Sequence, residues 1–313
     1  MIDNENGLPP KEAVQALVKV IAPGSTVTSI DSLPGSFSNF THLVEVRAAD
    51  SSISHIVIRR YAVFGDYDRG EKANREFRTY ELLQRHGIPV PQPLYLDKTG
   101  VLLGTPGIVT SYVAGTLVMS PSDPQGWARA LAKTLAQIHS IPCNVTERNF
   151  LLNADLEATW FLRSGTVPNY MRAHHQGVAV WQMVDDLFPR IRKRKPALVH
   201  IDYWPGNILW DKNRITAVVD WEEAAFGDPA IDVAYCRMNM VLGGMAEAAE
   251  DFLHTYEAET GQQVANLGFW ELAAAARPMM DPEDWQIAES PGSDRFEQFI
   301  EGARERAACK LAG

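Results

Sequence analysis

Residues 197 to 234, ALVHIDYWPGNILWDKNRITAVVDWEEAAFGDPAIDVA, compress a β run, a loop, a short hairpin and a second loop into one stretch. No other segment limits the fold as tightly, because its polar residues sit at the joints between apolar runs. Leu198-Val199 leads into His200-Ile201-Asp202, and Asn207 follows Asp202 by five residues. Ile208-Leu209-Trp210 then turns through Asp211-Lys212-Asn213, and the run from Ile215 to Val219 delivers Asp220 at a strand end. That order lets Asp202, Asn207 and Asp220 share one cleft.

The flanking sequence predicts what frames this segment. Val14, Leu17 and Val18 lie at helical spacing in residues 11 to 20, and Pro23-Gly24 ends that helix. From Thr26 to Tyr61, β-branched residues alternate with polar ones in VTSIDSL, THLVEVRA and SHIVIRRY, the pattern of a small antiparallel sheet. Residues 71 to 86 return to helical period with Phe77, Tyr80 and Leu83, and Gly87, Pro89 and Pro91 stop them. Val101-Leu102-Leu103 and Ile108-Val109 read as two further β runs. Ala114-Gly115 offers a flexible link before the helical pattern of residues 127 to 141. Residues 149 to 195 and those beyond Asp232 are mainly helical in spacing. A chain of 313 residues, 46% of them hydrophobic, has room for two lobes. They are placed here at residues 1 to 112 and 113 to 313. The expected class is α+β, with a β-rich lobe followed by a larger, mainly helical one.

Asp202, Asn207 and Asp220 are the side chains that phosphoryl transfer requires. One carboxylate can face the attacking hydroxyl, while an amide oxygen and a second carboxylate hold magnesium on a triphosphate. Magnesium prefers oxygen, so Asn and Asp fit where Cys or His would point to zinc. HIDYWPGN followed by VVDWE resembles the aminoglycoside phosphotransferase family, relatives of the eukaryotic protein kinases that phosphorylate small molecules. The kinase catalytic loop carries H-R-D with the same step from Asp to Asn, and a D-F-G element downstream. Here Ile201 stands for the Arg and Trp221-Glu222 for Phe-Gly. Those departures match the small-molecule branch, and the absence of an APE-type segment at suitable spacing after Asp220 speaks against a protein kinase.

The resemblance implies a bilobal protein-kinase-like fold with ATP or GTP as phosphate donor, Mg2+ as the metal and a small-molecule hydroxyl as acceptor. Asp202 would accept the hydroxyl proton, and Asn207 and Asp220 would bind the metal. Gly35, Ser36 and Ser38, in a segment placed like the phosphate-covering hairpin, would offer backbone N–H groups to phosphate oxygens. Arg59 stands where kinases place a strand lysine, and Glu76 where a helix glutamate pairs with it. Arg60 is the competing residue in register. His200 is expected as a packed strut for the loop, Asp228 as a helix cap and Asp232 as a structural acid supporting the loop backbone. Trp204 and Trp210 read as core or cleft walls.

Composition narrows the partners. Lys plus Arg is 29 against 39 for Asp plus Glu, and a net charge of −10 opposes nucleic acid and anionic lipid. A cationic or neutral acceptor is favoured, with Glu222, Glu223, Asp281, Glu283 and Asp284 as candidates to line an acidic cavity. The basic run RIRKRK at 190 to 195 reads as a solvated helix end. Cys143, Cys236 and Cys309 are too scattered for a disulfide framework or a thiolate zinc site. His174-His175 lacks a Cys or carboxylate at ligand spacing, so no metal is read there. Thr99 to Ser122 carries no charge, but Gly100, Gly104, Pro106, Gly107 and Gly115 interrupt it as a membrane span. MIDNENGLPPKEAV lacks the basic start and apolar run of a secretory signal, so a cytoplasmic location is expected. The alternative reading is a catalytically silent nucleotide-binding protein on the same fold.

Overall fold

The computed structural model describes residues 7–33, 39–62, 68–287 and 291–309. The chain divides into two compact units, one of Met1–Gly115 with Thr216–Glu223, the other of Thr116–Ile215 with Ala224–Gly313. This differs from a single cut after residue 112, because the chain returns to the first unit for the short stretch that carries Asp220.

The first unit opens with helix α1 (Lys11–Ile21), followed by strands β1 (Thr26–Ser32), β2 (Asn39–Arg47) and β3 (Ile53–Tyr61). Helix α2 (Arg69–Arg85) then precedes β4 (Pro93–Asp97) and β5 (Gly107–Ser111). The five strands form one sheet of order β1-β2-β3-β5-β4 in which every neighbouring pair is antiparallel. Side chains alternate across a strand, so β3 serves two faces. Ile56 and Ile58 join Val44, Val46 and Val109 in a core that α1 covers with Val14, Leu17 and Val18. Arg59 lies on the opposite face, where Glu76 of α2 meets it. Asp68 starts α2 by accepting the N–H groups of Gly70 and Glu71 at 2.8 and 3.2 Å.

One expected strand is a turn. Val101, Leu102 and Leu103 are not β; their N–H groups all donate to the Asp97 carboxylate, at 3.0, 2.8 and 2.8 Å. A side chain that satisfies three consecutive donors removes the need for a ladder. The strand that completes the sheet is instead β4, which starts at Pro93 on the sheet edge, where proline is tolerated.

The second unit begins with β6 (Thr116–Leu117), α3 (Pro124–His139), α4 (Val145–Arg148), β7 (Leu152–Asn153) and α5 (Ala154–Ala158). It continues through α6 (Asn169–Ala173), α7 (Gly177–Leu187), β8 (Ala197–Val199) and β9 (Ile208–Asp211). β10 (Arg214–Val218) leads the chain back to the first unit, and β11 (Ala225–Gly227) resumes the second. Five helices close it: α8 (Ala230–Leu242), α9 (Ala246–Thr260), α10 (Leu267–Ala274), α11 (Ala276–Met280) and α12 (Pro291–Cys309). β6 pairs with β9, and β11 lies between parallel β7 and antiparallel β8. Helix α8 is buried without interruption from Ala230 to Met238, as expected of a central helix apolar on most sides. Its buried Arg237 is satisfied by Glu271 at 3.0 Å, Glu250 at 2.9 Å and the Ala249 carbonyl at 2.5 Å.

Two local readings change here. The basic run is not a helix end: α7 stops at Leu187, a single 3-10 turn follows at Phe188–Arg190, and residues 192–196 are irregular. His174-His175 does meet a carboxylate, since Glu297 on α12 brings Oε1 to 3.1 Å from His175 Nε2 and 3.9 Å from His174 Nε2. Local spacing cannot show a partner so distant in sequence. His174 Nδ1 accepts the Gln176 N–H at 3.2 Å, which leaves the neutral ring's proton on Nε2, the nitrogen facing Glu297. Among the described residues no helix is long and apolar enough to cross a membrane.

His42, opposite Ile58 in the sheet, gives the first unit a pH dependence. It is 1% exposed, and burial, followed by the nearby charge of Arg60, pushes its imidazole from 6.5 down to about 4. The folded state therefore holds the neutral ring, and its contribution is whole above pH 6.5 and lost as pH falls toward 4. The urea midpoint is expected to drop across that interval, and to drop less in a His42→Leu chain. Equal drops in the two chains would exonerate His42.

Candidate functional site

In the first unit the site is built around Arg59. The alternation of β3 points this guanidinium at α2, and three carboxylates surround it: Asp220 Oδ1 at 2.5 Å, Glu222 Oε2 at 3.2 Å and Glu76 Oε2 at 3.4 Å. Burial alone would lower the Arg59 pKa, but these charges outweigh it and hold the guanidinium well above its ordinary value. Glu76 is fully buried and receives hydrogen bonds from the hydroxyls of Tyr61 and Tyr80, the latter at 2.9 Å. Burial, followed by the Glu76 charge, pushes both tyrosines well up, so they stay neutral donors. Tyr80 Oη also accepts the Asp220 N–H at 3.3 Å. Arg60 is the residue that faces the other way: its Nη1 donates to the Leu103 carbonyl at 3.3 Å and its guanidinium lies over Phe40. The expected Arg59–Glu76 pair is thus present in the fold, and Asp220 joins it.

Glu222 does not belong to an open acidic cavity. It is 7% exposed, and its carboxylate accepts from Lys72 Nζ at 3.2 Å and Asn39 Nδ2 at 2.6 Å in addition to Arg59. Arg75 Nε donates to its backbone carbonyl at 2.7 Å. Burial would raise its pKa; Arg59 and Lys72, with the Asn39 bond, hold it below the usual carboxylate range instead. Two residues earlier, Asp220 has φ +67°, a left-handed conformation that Asp tolerates better than most residues. Among the other acids expected to draw a cation, Asp281, Glu283 and Asp284 are exposed.

In the second unit the loop after β8 carries Asp202 and Asn207. Asp232, fully buried in the first turn of α8, accepts the His200 N–H at 2.7 Å and the Ile201 N–H at 2.8 Å, one on each carboxylate oxygen. His139 Nε2 lies 3.1 Å from Oδ2 of the same group. These bonds hold Ile201 at φ +73°, a costly conformation for a β-branched side chain. His200, also fully buried, accepts the Asp202 N–H at its Nδ1 at 3.3 Å and packs edge-on against Tyr203. Asn207 Nδ2 donates to Asp202 Oδ2 at 2.8 Å and to the Asp202 carbonyl at 2.9 Å. The five-residue step therefore brings these two side chains together in one loop. A Cβ at Gly206 would fall 2.3 Å from the Trp204 ring, so a larger residue there requires the indole to shift. Trp210 is core, at 3% exposure. Asp228 accepts the Ala230 N–H at 3.0 Å at the start of α8, as a cap does.

Sequence reasoning missed Arg277. From α11 it donates to Asp202 Oδ1 at 3.0 Å and to the Ile201 carbonyl at 3.3 Å, with its guanidinium 4.5 Å from the Tyr235 ring centre. Nothing in its surroundings, AAAARPMMDP, signals that role. Tyr80 was within reach, since it sits one helical turn from Glu76, and Tyr61 shares the strand face of Arg59. Gly35, Ser36 and Ser38 lie outside the described residues.

Removing one partner from a buried charge network leaves the others uncompensated. Glu222→Ala is expected to destabilise the chain by about 3 kcal/mol in urea unfolding. Lys72→Met in that background should recover part of the loss by removing one stranded charge, and additive losses would show that the two residues do not interact.

The pattern of the APH "Phosphotransferase enzyme family" matches residues 45–267. Mouse acyl-CoA dehydrogenase family member 10 is 29% identical over 177 residues, which is 51% of this chain but 16% of that protein. The matches to the first curated relatives span between 16% and 27% of those proteins. A solved spectinomycin phosphotransferase in complex with ADP and spectinomycin has a TM-score of 0.62 at 15% identity, covering 95% of this chain and 97% of that one. Choline kinase from Streptococcus pneumoniae has a TM-score of 0.60 at 17% identity, covering 94% and 99%. Likeness at such identities is one of fold, and the fold is the expected kinase-like α+β class. By its match over residues 45–267, the chain belongs to the phosphotransferase enzyme family of the aminoglycoside phosphotransferases.

Proposed function

We propose that the chain transfers the γ-phosphate of ATP or GTP to a hydroxyl group of a small molecule. The observation that carries this is the Asp202 loop: a carboxylate oriented by Asn207 on one oxygen and Arg277 on the other, on backbone tied to Asp232. Such a group is fixed where it can take a hydroxyl proton as the new P–O bond forms. That spectinomycin phosphotransferase and choline kinase share this fold supports a small-molecule acceptor.

The donor set suits magnesium. Asn207 directs its amide nitrogen at Asp202, so its Oδ1 remains an acceptor, and Asp220 supplies a carboxylate; both are the hard oxygens this ion prefers. Bound by Asn207 and Asp220, magnesium would offset charge on the triphosphate oxygens. Arg59 would exchange its Asp220 contact for phosphate oxygens, while Glu76 and its two tyrosines keep the guanidinium in place. Gly35, Ser36 and Ser38 would contribute backbone N–H groups to the same phosphates.

The acceptor reading shifts away from a densely cationic compound. Glu222 is taken up by Arg59 and Lys72, and Arg277 offsets the charge of Asp202. A neutral hydroxyl compound, or one whose charge lies away from the reacting group, suits that surrounding better.

A panel of hydroxyl compounds offered with magnesium and ATP identifies the acceptor by consumption of γ-phosphate. With that acceptor, Asp202→Ala is expected to lower turnover by about 10² to 10⁴, roughly 3 to 5 kcal/mol, with little effect on nucleotide affinity. Near-normal turnover would remove Asp202 from its role. For Asp220→Ala, nucleotide titrations with and without magnesium are expected to coincide; a metal-dependent gain in affinity that persists would count against Asp220 as a ligand.

A further inference from the structure

The second unit contains a cavity of about 540 Å3 that none of the residues assigned above to phosphoryl transfer lines. Its size is that of a small-molecule site. The walls come from the end of α3, the loop into α4, the irregular basic segment before β8, the start of α8 and the end of α9.

Charge on those walls is uneven. Arg148, Arg194 and Lys195 line the cavity, and among the described residues none of them pairs with a carboxylate. Arg148 donates its Nε to the Cys143 carbonyl at 2.9 Å, and its guanidinium carbon lies 4.6 Å from the Phe226 ring centre. Arg194 reaches the neutral Gln262 side chain at 3.3 Å. The two acids present are already engaged. Asp228 accepts from the Ala230 N–H and from Asn266 Nδ2 at 3.0 and 3.1 Å, and Glu259 lies 3.7 Å from Lys133. Cys143 brings no reactive thiolate, because burial pushes its thiol up to about 11. Three cations with no carboxylate partner around a concave space, one of them beside an aromatic ring, suit a compact anion.

The inner wall connects this space to the Asp202 loop. His139 and Tyr256 both line it and are hydrogen-bonded to each other at 2.7 Å through His139 Nδ1. The other imidazole nitrogen is the one at Asp232, whose carboxylate holds the His200 and Ile201 amides. His139 has a side chain only 3% exposed, so a shift of its ring must be taken up by Asp232 or Tyr256.

We propose that this cavity is an effector site for a small phosphate-bearing molecule, whose binding steadies the backbone of His200 and Ile201 through His139 and Asp232. The basic run at 190 to 195, which phosphoryl transfer leaves unused, thereby acquires a purpose: Arg194 and Lys195 form one side of an anion site.

Inorganic phosphate is the probe. Calorimetric titration of the full chain is expected to show saturable binding that weakens at least about tenfold, or ~1.4 kcal/mol, in the triple variant R148A/R194A/K195A. A control with the same charge removed elsewhere, K11A/K19A/R47A, should bind as the parent does. Hydrogen exchange at the His200 and Ile201 amides is expected to slow with phosphate in the parent and control, and not in the cavity variant. No saturable binding, equal affinity in the two triple variants, or exchange that ignores phosphate in the parent would overturn the proposal. None of these readouts requires phosphoryl transfer, so they separate this site from the reaction above.

Discussion

One buried carboxylate organises the loop after β8. Asp232 sits in the first turn of a helix with no exposed surface, and its two oxygens accept the amides of His200 and Ile201. Hydrogen bonds to a charged group contribute about 1.5 to 3 kcal/mol each, whereas a β-branched residue at positive φ costs about 1 to 3 kcal/mol. The pair of bonds therefore outweighs the strain at Ile201, and the loop can keep a backbone shape it would not choose in isolation. Asp202 follows directly, so its carboxylate inherits that shape. Asn207 and Arg277 then set the direction of each oxygen. In the proposed reaction, a carboxylate fixed in this way would lose little entropy on meeting a hydroxyl, the form of catalysis open to a reaction dominated by positioning.

The first unit solves a different problem, that of accommodating a largely shielded guanidinium among acids. Arg59 is surrounded by three carboxylates, more anionic charge than it can neutralise. Lys72 and Asn39 offset Glu222, and Tyr61 and Tyr80 satisfy Glu76. Asp220 is the member of the cluster with the most solvent, its side chain 32% exposed against 0% for Glu76 and 10% for Glu222. A carboxylate so placed can pass from a guanidinium to another cation at the least desolvation cost. The hierarchy of burial thus separates two shielded acids around Arg59 from one that solvent reaches.

How much of this was legible in the sequence follows the range of each interaction. The joint between Asp202 and Asn207 is local, and its spacing survives into a hydrogen bond. Helix α1 and strands β1, β2 and β3 follow from periods set by their own apolar residues. Arg59 could be separated from Arg60 only by the sheet register, because a slip of one residue exchanges the faces. The expected strand at Val101 failed for a local reason with no periodic signature: Asp97 accepts three amides in succession and makes a turn of apolar residues. Glu297 beside His175, and Arg277 beside Asp202, are contacts between residues far apart in the sequence. A side chain's partner at that separation is decided by packing, which no spacing rule encodes.

Glu222 shows why residue type alone misleads about electrostatics. In the sequence VVDWEEAAFGD it is one acid among several in a chain of net charge −10, and acids in a candidate site suggest attraction for a cation. Within the fold its charge is already committed to Lys72 and Arg59, whose side chains are 10% and 13% exposed, so little of its field reaches solvent. Arg277, invisible as a site residue, places the opposite charge next to Asp202. Two acids are alike in residue class but not in surroundings: Glu222 meets both Lys72 and Arg59, and Asp202 meets Arg277. Pairing of this local kind, more than a net charge of −10, sets the field around each carboxylate.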